Sequence, residues 1–294
     1  MSNPWLGLVI MLLSTGVWSS TPCPFDKEEK NFKGSPTEQA KCLLREVKPV
    51  ADLGPVRNSL PPPLDTLIGE KVTFSKEQFS AYLLRNGIKV KDIGGPLSEP
   101  LSRTSGPMTK RRGALYFVIH DTSTPNYKRG SFPLNINSEN WGYNHLAGWD
   151  KGEKSKAHVF VSRTGQSISP VNFHRPWRAT KFELKYAERY RNEPEDAMKG
   201  LFLHVELVQP RRSDKLDGGG DAIAPDPGFT DVQYKRLSEL YLAASVRNGE
   251  WLIPAFHTAV DAGLKGGHDD PQRFDLEQWS KIILSMVTQI AESR

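Results

Sequence analysis

The sequence predicts an α/β fold on three observations. Ala114–Ile119, Leu201–Val208 and Trp251–Ala255 are apolar runs of strand length. Thr230–Gly249 and Asp275–Ile290 repeat their apolar residues at helical spacing. The two kinds of segment alternate, which argues for an α/β domain of about 180 residues beginning near Gly113.

Composition sets the outer bounds. A chain of 294 residues, 37% apolar with 13 Phe and 7 Trp, can build one large core with appendages, which excludes disorder throughout. Lys and Arg exceed Asp and Glu by 39 to 34, a formal net charge of +5. The excess is spread along the chain, through Lys110, Arg111, Arg112, Arg211 and Arg212, and reads as a solvated basic surface. No basic run is interleaved with aromatics, so nucleic acid is not an expected partner.

From the N-terminus, Trp5–Val17 is apolar but shorter than the roughly 20 residues of a membrane span. It suits a secretory signal, residues 1–19, cut after Ser19. The chain is therefore expected to be exported, periplasmic or extracellular, with no membrane span once the signal is removed; an uncleaved N-terminal anchor is the rival. Pro22 before Cys23 does not fit a lipobox. Cys23 and Cys42 either pair in an oxidising compartment or remain two thiols.

Residues 20–112 read as an N-terminal extension. Lys27–Lys33 is charged, Pro61–Pro63 breaks regular structure, and Gly94–Thr109 is rich in Gly, Pro and Ser. One short helix is expected over Ser75–Asn86, capped by Ser75 and Gln78 with Phe79, Tyr82 and Leu83 on its apolar face. It is either an arm packed on the main domain or a small independent module.

Residues 113–294 are expected to form the main domain. Ala114–Ile119 is a buried strand ending at His120 and Asp121, where a rigid element meets a loop. The loop Thr122–Gly152 offers Tyr127, Trp141, Tyr143, His145 and Trp149 as a sugar or peptide platform, or as ordinary packing. Ala157–Ser162 and Gln166–Val171 read as a hairpin turned by Arg163, Thr164 and Gly165. His174 and Trp177 follow in a loop, and Phe182–Met198, dense in charge, reads as an exposed helix or insertion.

Alternation in Leu201–Val208 places His204 and Glu206 on one face. Desolvation there raises a carboxyl pKa, as a general base near neutral pH requires; a structural ion pair is the other reading of Glu206. After the glycine-rich Asp217–Gly228, Thr230 and Gln233 open a helix that ends at Asn248 and Gly249. Trp251–Ala255 delivers His257, and Asp275 caps a terminal helix.

Ile253–Phe274 concentrates the chemistry. His257, His268, Asp269 and Asp270 lie on a segment loosened by Gly263, Gly266 and Gly267. Two imidazoles and two carboxylates form part of a metal site, since zinc takes nitrogen and oxygen ligands at about 2.0–2.2 Å. A catalytic zinc keeps three protein ligands, so another must come from elsewhere, and His120 is suitably placed.

These segments, taken in order, resemble the zinc-dependent N-acetylmuramoyl-L-alanine amidases of the type 2 class, relatives of the peptidoglycan-recognition proteins. The resemblance covers about Gly113 to Ser293. It rests on Phe117–His120, on Ala157 and His158 followed by Arg163–Gly165, on Val205–Leu207, and on His257 with Asp270, Pro271 and Phe274. Phe256 stands where the family usually has glycine, the loop to Asp270 is longer, and His268 replaces a usual Lys or Arg.

The resemblance implies a mixed β-sheet flanked by helices and a zinc ion on His120, His257 and Asp270. It implies Glu206 as the catalytic base and His268, protonated or donating a neutral N–H, as stabiliser of the oxyanion. Asp269 is the rival to Asp270. The implied substrate is peptidoglycan or a muropeptide, cut between N-acetylmuramic acid and L-alanine. A recognition protein without hydrolysis and a zinc endopeptidase of the stem peptide are the alternatives.

Overall fold

The computed structural model describes residues 21–49, 52–105, 112–128, 130–189, 196–213 and 222–292. The expected leader, residues 1–19, lies outside them, as do Lys110, Arg111 and most of the glycine-rich stretch before Ala222. No helix among the described residues is long and apolar enough to cross a membrane.

The strands are β1 (Phe25–Asp26), β2 (Asn31–Phe32), β3 (Tyr116–Asp121), β4 (Asn126–Tyr127), β5 (Val159–Val161), β6 (Ser167–Ile168), β7 (Phe202–Leu207), β8 (Arg211–Ser213), β9 (Ala222–Ile223) and β10 (Ile253–Phe256). The helices are α1 (Pro36–Leu43), α2 (Leu64–Leu67), α3 (Lys76–Arg85), α4 (Lys181–Arg189), α5 (Asp231–Asn248), α6 (His257–Val260) and α7 (Leu276–Ala291). The central sheet is mixed, in the order β10-β3-β7-β5-β6, with four parallel strands and an antiparallel edge at β6. β1 and β2 form a small hairpin, and β4, β8 and β9 a second small sheet.

The pleat sorts the residues of β3 and β7 onto two faces. Phe117 and its odd-numbered neighbours meet α5, where Tyr241 lies 5.3 Å from Phe117 between ring centroids and 5.3 Å from Trp279 of α7. Tyr116, Val118 and His120 share the other face with Phe202, His204 and Glu206, since the register pairs Tyr116 with Phe202 and His120 with Glu206. That face is covered by the β1–β2 hairpin and α4, through Phe32 on Tyr116 and Phe182 on Phe202.

The long helices begin and end where their caps dictate. Thr230 and Gln233 exchange capping-box bonds at α5, which stops at Gly249 in the left-handed conformation, φ 87°. Ser75 and Gln78 do the same for α3, and Asp275 caps α7.

Two segments differ from the sequence reading. The N-terminal stretch carries three helices where one was expected. In α1 the Ser35–Glu38 capping box precedes only two turns, too little apolar periodicity to read alone. Its Ala40 and Leu43 join the same apolar core as Phe117 and Trp279, and the Tyr116 hydroxyl, accepting from Phe32 N and donating to Gln39, ties it to β3. The expectation of an exposed Phe182–Met198 is also corrected, because Phe182, Glu183 and Tyr186 are buried against the sheet. The charges along the segment concealed its apolar stripe, and residues 190–195 lie outside those described.

Cys23 and Cys42 form a disulfide, Cα atoms 5.9 Å apart, that closes a loop of 19 residues under this face. Such a loop is worth about 3 kcal/mol. Cys42→Ser is expected to lower the unfolding free energy extrapolated from urea titration by about that amount; equal values for the two proteins would show that the bond contributes nothing.

Candidate metal centre

Three parallel strands deliver the site to one edge. His120 is the penultimate residue of β3, and His257 directly follows β10, whose Phe256 pairs with Ile119. The register thus sets His257 beside His120, and Asp270 returns from the loop after α6, its carbonyl accepting from Thr258 N at 3.0 Å and from Thr258 Oγ1 at 2.7 Å. His120, His257 and Asp270 are all buried, and their ligand atoms lie within 4.8 Å of one another.

The spacing fits an ion. Ligands about 2.0–2.1 Å from a tetrahedral metal lie about 3.3–3.4 Å apart. Nδ1 of His120 is 2.9 Å from Nδ1 of His257, which is 3.1 Å from Oδ2 of Asp270, and the third side, His120 to Asp270, is 3.7 Å.

The outer partners decide which nitrogen faces the centre. Nε2 of His257 lies 3.0 Å from the Asp261 carboxylate, which only accepts, so it carries the hydrogen and Nδ1 is left to the centre. On the other side, Nε2 of His120 meets Nδ1 of His204 at 3.1 Å. Nε2 of His204 in turn approaches Glu183 Oε2 at 3.2 Å, an ion-pair distance too oblique for a full hydrogen bond. With the acceptor at the far end of that chain, His204 offers Nδ1 as acceptor, His120 donates through Nε2, and its Nδ1 keeps the lone pair.

Both carboxylates are held by the start of α4. Asp261 accepts from the Lys181 and Phe182 amides at 3.1 and 2.8 Å, while Glu183 accepts from Thr180 N at 3.0 Å and from its hydroxyl at 2.9 Å. The segment that read as an exposed helix therefore anchors both histidines of the group.

The electrostatics draw positive charge to the centre. Burial and the neighbouring imidazoles hold His120 well below the ordinary histidine pKa. Burial also opposes charge on His257, but Asp270 and Asp261 outweigh it and raise its pKa well above the ordinary value. Burial works against the Asp270 carboxylate too, yet His257 keeps its pKa low. A proton on His257 meets this demand, and so does a divalent ion bound with release of that proton.

Glu206 lies opposite His120 in the register and keeps some accessible surface, although its Oε2 atom is buried without a hydrogen-bond partner. Burial, then the Asp270 charge, pushes its pKa up to about 8. No cationic side chain is shown paired with it among the described residues, so the ion-pair reading gains no support.

The remaining candidates separate. Asp269 faces away toward Arg211, 3.8 Å off, and Asp270 alone of the two joins the imidazoles. His268 stacks on His257 at 4.6 Å but is more than half exposed. Burial of its ring and the neighbouring His257 lower its pKa, so at neutral pH it presents a neutral ring. His158 stays outside the trio, accepting from His204 N at 3.0 Å. His174 pairs with Glu99 at the surface, 2.7 Å away, and Tyr127, Trp141, Tyr143, His145 and Trp149 belong to a neighbouring loop.

Glu183, Asp261 and Arg211 are the residues that sequence reasoning missed. Thr180 and Glu183 have capping-box spacing, and Asp261 stands four residues after His257, so two of the three left a local signal. Arg211, buried against Asp121 at 2.7 Å, left none.

Comparison with protein-family models, curated proteins and solved structures finds no match to this chain. The fold and site define a mixed α/β protein with a buried His–His–Asp group that can hold a metal ion.

Asp270→Ala is expected to abolish stoichiometric metal uptake while Asp269→Ala retains it; the reverse pattern in a metal assay would reassign the ligand. Glu183→Gln, which keeps the α4 cap, is expected to weaken metal affinity about 10- to 100-fold in chelator competition, with the fold intact.

Proposed function

We propose that this chain is a zinc hydrolase of peptidoglycan, cutting the amide between N-acetylmuramic acid and L-alanine, with a fold of the type 2 amidase kind. The observation that carries the reading is Glu206, a half-buried carboxyl opposite His120 whose Oε2 lacks a hydrogen-bond partner and whose pKa is pushed up to about 8. A carboxyl poised near neutrality can take a proton in one step and return it in the next. A structural metal site has no need of such a group.

His120, His257 and Asp270 would hold the zinc, a set of two imidazoles and one carboxylate that suits it. When bound, the ion supplies Lewis acidity, polarising a carbonyl and easing deprotonation of water. Glu206 accepts the water proton and passes it to the leaving amine. His268, neutral and stacked on His257, donates an N–H to the oxygen on which charge develops. Asp261 and the His204–Glu183 pair keep the two imidazoles oriented throughout.

The choice of substrate rests on the four matching sequence segments, and the Cys23–Cys42 disulfide supports export to an oxidising compartment, periplasmic or extracellular. Glu206→Gln is expected to keep its metal and lose about 100- to 10,000-fold in kcat on purified sacculi. Chelator should abolish activity in the unmodified protein, and mass spectrometry should find intact stem peptides beginning with L-alanine. Fragments cut within the stem would make it an endopeptidase, and full activity of the Gln variant would remove Glu206 from the mechanism.

A further inference from the structure

A groove of about 510 Å3 lies along the connection between β4 and β5, lined by Thr124, Gly142, Tyr143, His145, Gly148 and Trp149. Among the described residues neither a carboxylate nor a Lys or Arg side chain lines it, in a chain whose formal net charge is +5. Its occupant should therefore be uncharged where it lies against this wall.

The wall is held rigidly. The Trp149 indole stacks on Phe160 at 5.7 Å with 22° between the planes, and its Nε1 donates to the Tyr143 carbonyl at 3.0 Å. Phe160 belongs to a small apolar core with Ile136, Trp141 and Leu146. One face of the indole is backed and its N–H is engaged, so what Trp149 offers to the groove is a flat apolar surface. Tyr143, 40% exposed, rests against Trp141 with ring centroids 5.1 Å apart.

Polar groups stand beside that surface. Nε2 of His145 lies 3.1 Å from the Glu139 carbonyl, which only accepts, so Nε2 carries the hydrogen and Nδ1 retains its lone pair. Thr124 and Tyr143 add hydroxyls. Flat aromatic carbon ringed by hydroxyls and an imidazole acceptor complements a pyranose ring, apolar on its faces and polar round its edge. An apolar peptide would cover these polar atoms without pairing them, and a polyanion would meet no cation.

The groove is also close to the metal centre. Thr124 follows His120 by four residues, a separation of at most about 14 Å along the chain. We propose that this groove binds an uncharged saccharide, with a pyranose ring laid on Trp149, and so holds a glycan strand beside the His120–His257–Asp270 centre. The link to the centre rests on the hydrolase reading, whereas binding of the sugar rests on the groove alone.

The test is titration of the full chain with chitotetraose, before and after removal of metal by chelator, followed by calorimetry and by the tryptophan side-chain NMR signals. Binding is expected in both states, to weaken about tenfold in Trp149→Ala, and to weaken also in Tyr143→Ala, whose exposed ring can be removed without opening the core. No binding, binding by both variants as tight as by the unaltered chain, or perturbation of Trp149 by a free stem peptide and not by the saccharide would overturn the proposal. A chain that cleaves sacculi yet ignores chitotetraose keeps the hydrolase reading and loses this one. A chain that binds the saccharide through Trp149 and cleaves nothing does the opposite.

Discussion

Parallel pairing of β3 with β7 and β10, at one fixed register, is the constraint on which the rest of the site depends. Because β3 and β7 run side by side with His120 opposite Glu206, their side chains leave the sheet on the same face at the same height. β10 on the other side of β3 ends level with Ile119, so the next residue, His257, arrives beside His120. A one-residue slip of either pairing would send a ligand or Glu206 through the sheet toward α5. The apolar residues on the opposite face, Phe117 and Leu203 among them, hold the register by their burial under α5 and α7.

Such an arrangement buries three histidines and one acid, His120, His204, His257 and Asp270, and half-buries Glu206 beside them. Buried polar groups without partners cost several kcal/mol each, so the surrounding chain must answer them. α4 does so twice, by placing Glu183 under His204 and by capping itself on Asp261. The N-terminal hairpin and α1 then close the same face, with the disulfide fastening the beginning of that segment. The N-terminal stretch thus covers the part of this face that carries Tyr116.

The other side of the centre has its own brace. Asp121, one residue beyond His120 and therefore on the opposite face, accepts from Arg211 at 2.7 Å and from the Gln272 amide at 3.2 Å, while its own N–H donates to Asp270 Oδ2 at 3.1 Å. Burial raises the Asp121 pKa to about 6 although Arg211 pulls against it. A neighbouring pair of residues, His120 and Asp121, thus supplies both one member of the His–His–Asp group and the anchor of the loop that carries another.

Much of this was legible in the chain itself. Period-two alternation, helix caps at Ser75, Thr230 and Asp275, and the clustering of His257 with Asp270 are local patterns, set by backbone geometry and hydrogen bonding within a few residues. They determined the α/β class, the long helices and the residues worth watching. Only the tertiary structure set Asp270 and not Asp269 beside the imidazoles, paired Cys23 with Cys42, turned α4 inward, and brought Glu183 and Asp261 to the imidazoles. Those outcomes depend on which strands lie side by side and on which buried atom lacks a partner, quantities that arise between residues as far apart as 120 and 257, so that the local spacing of Thr180 with Glu183 and of His257 with Asp261 did not by itself reveal them.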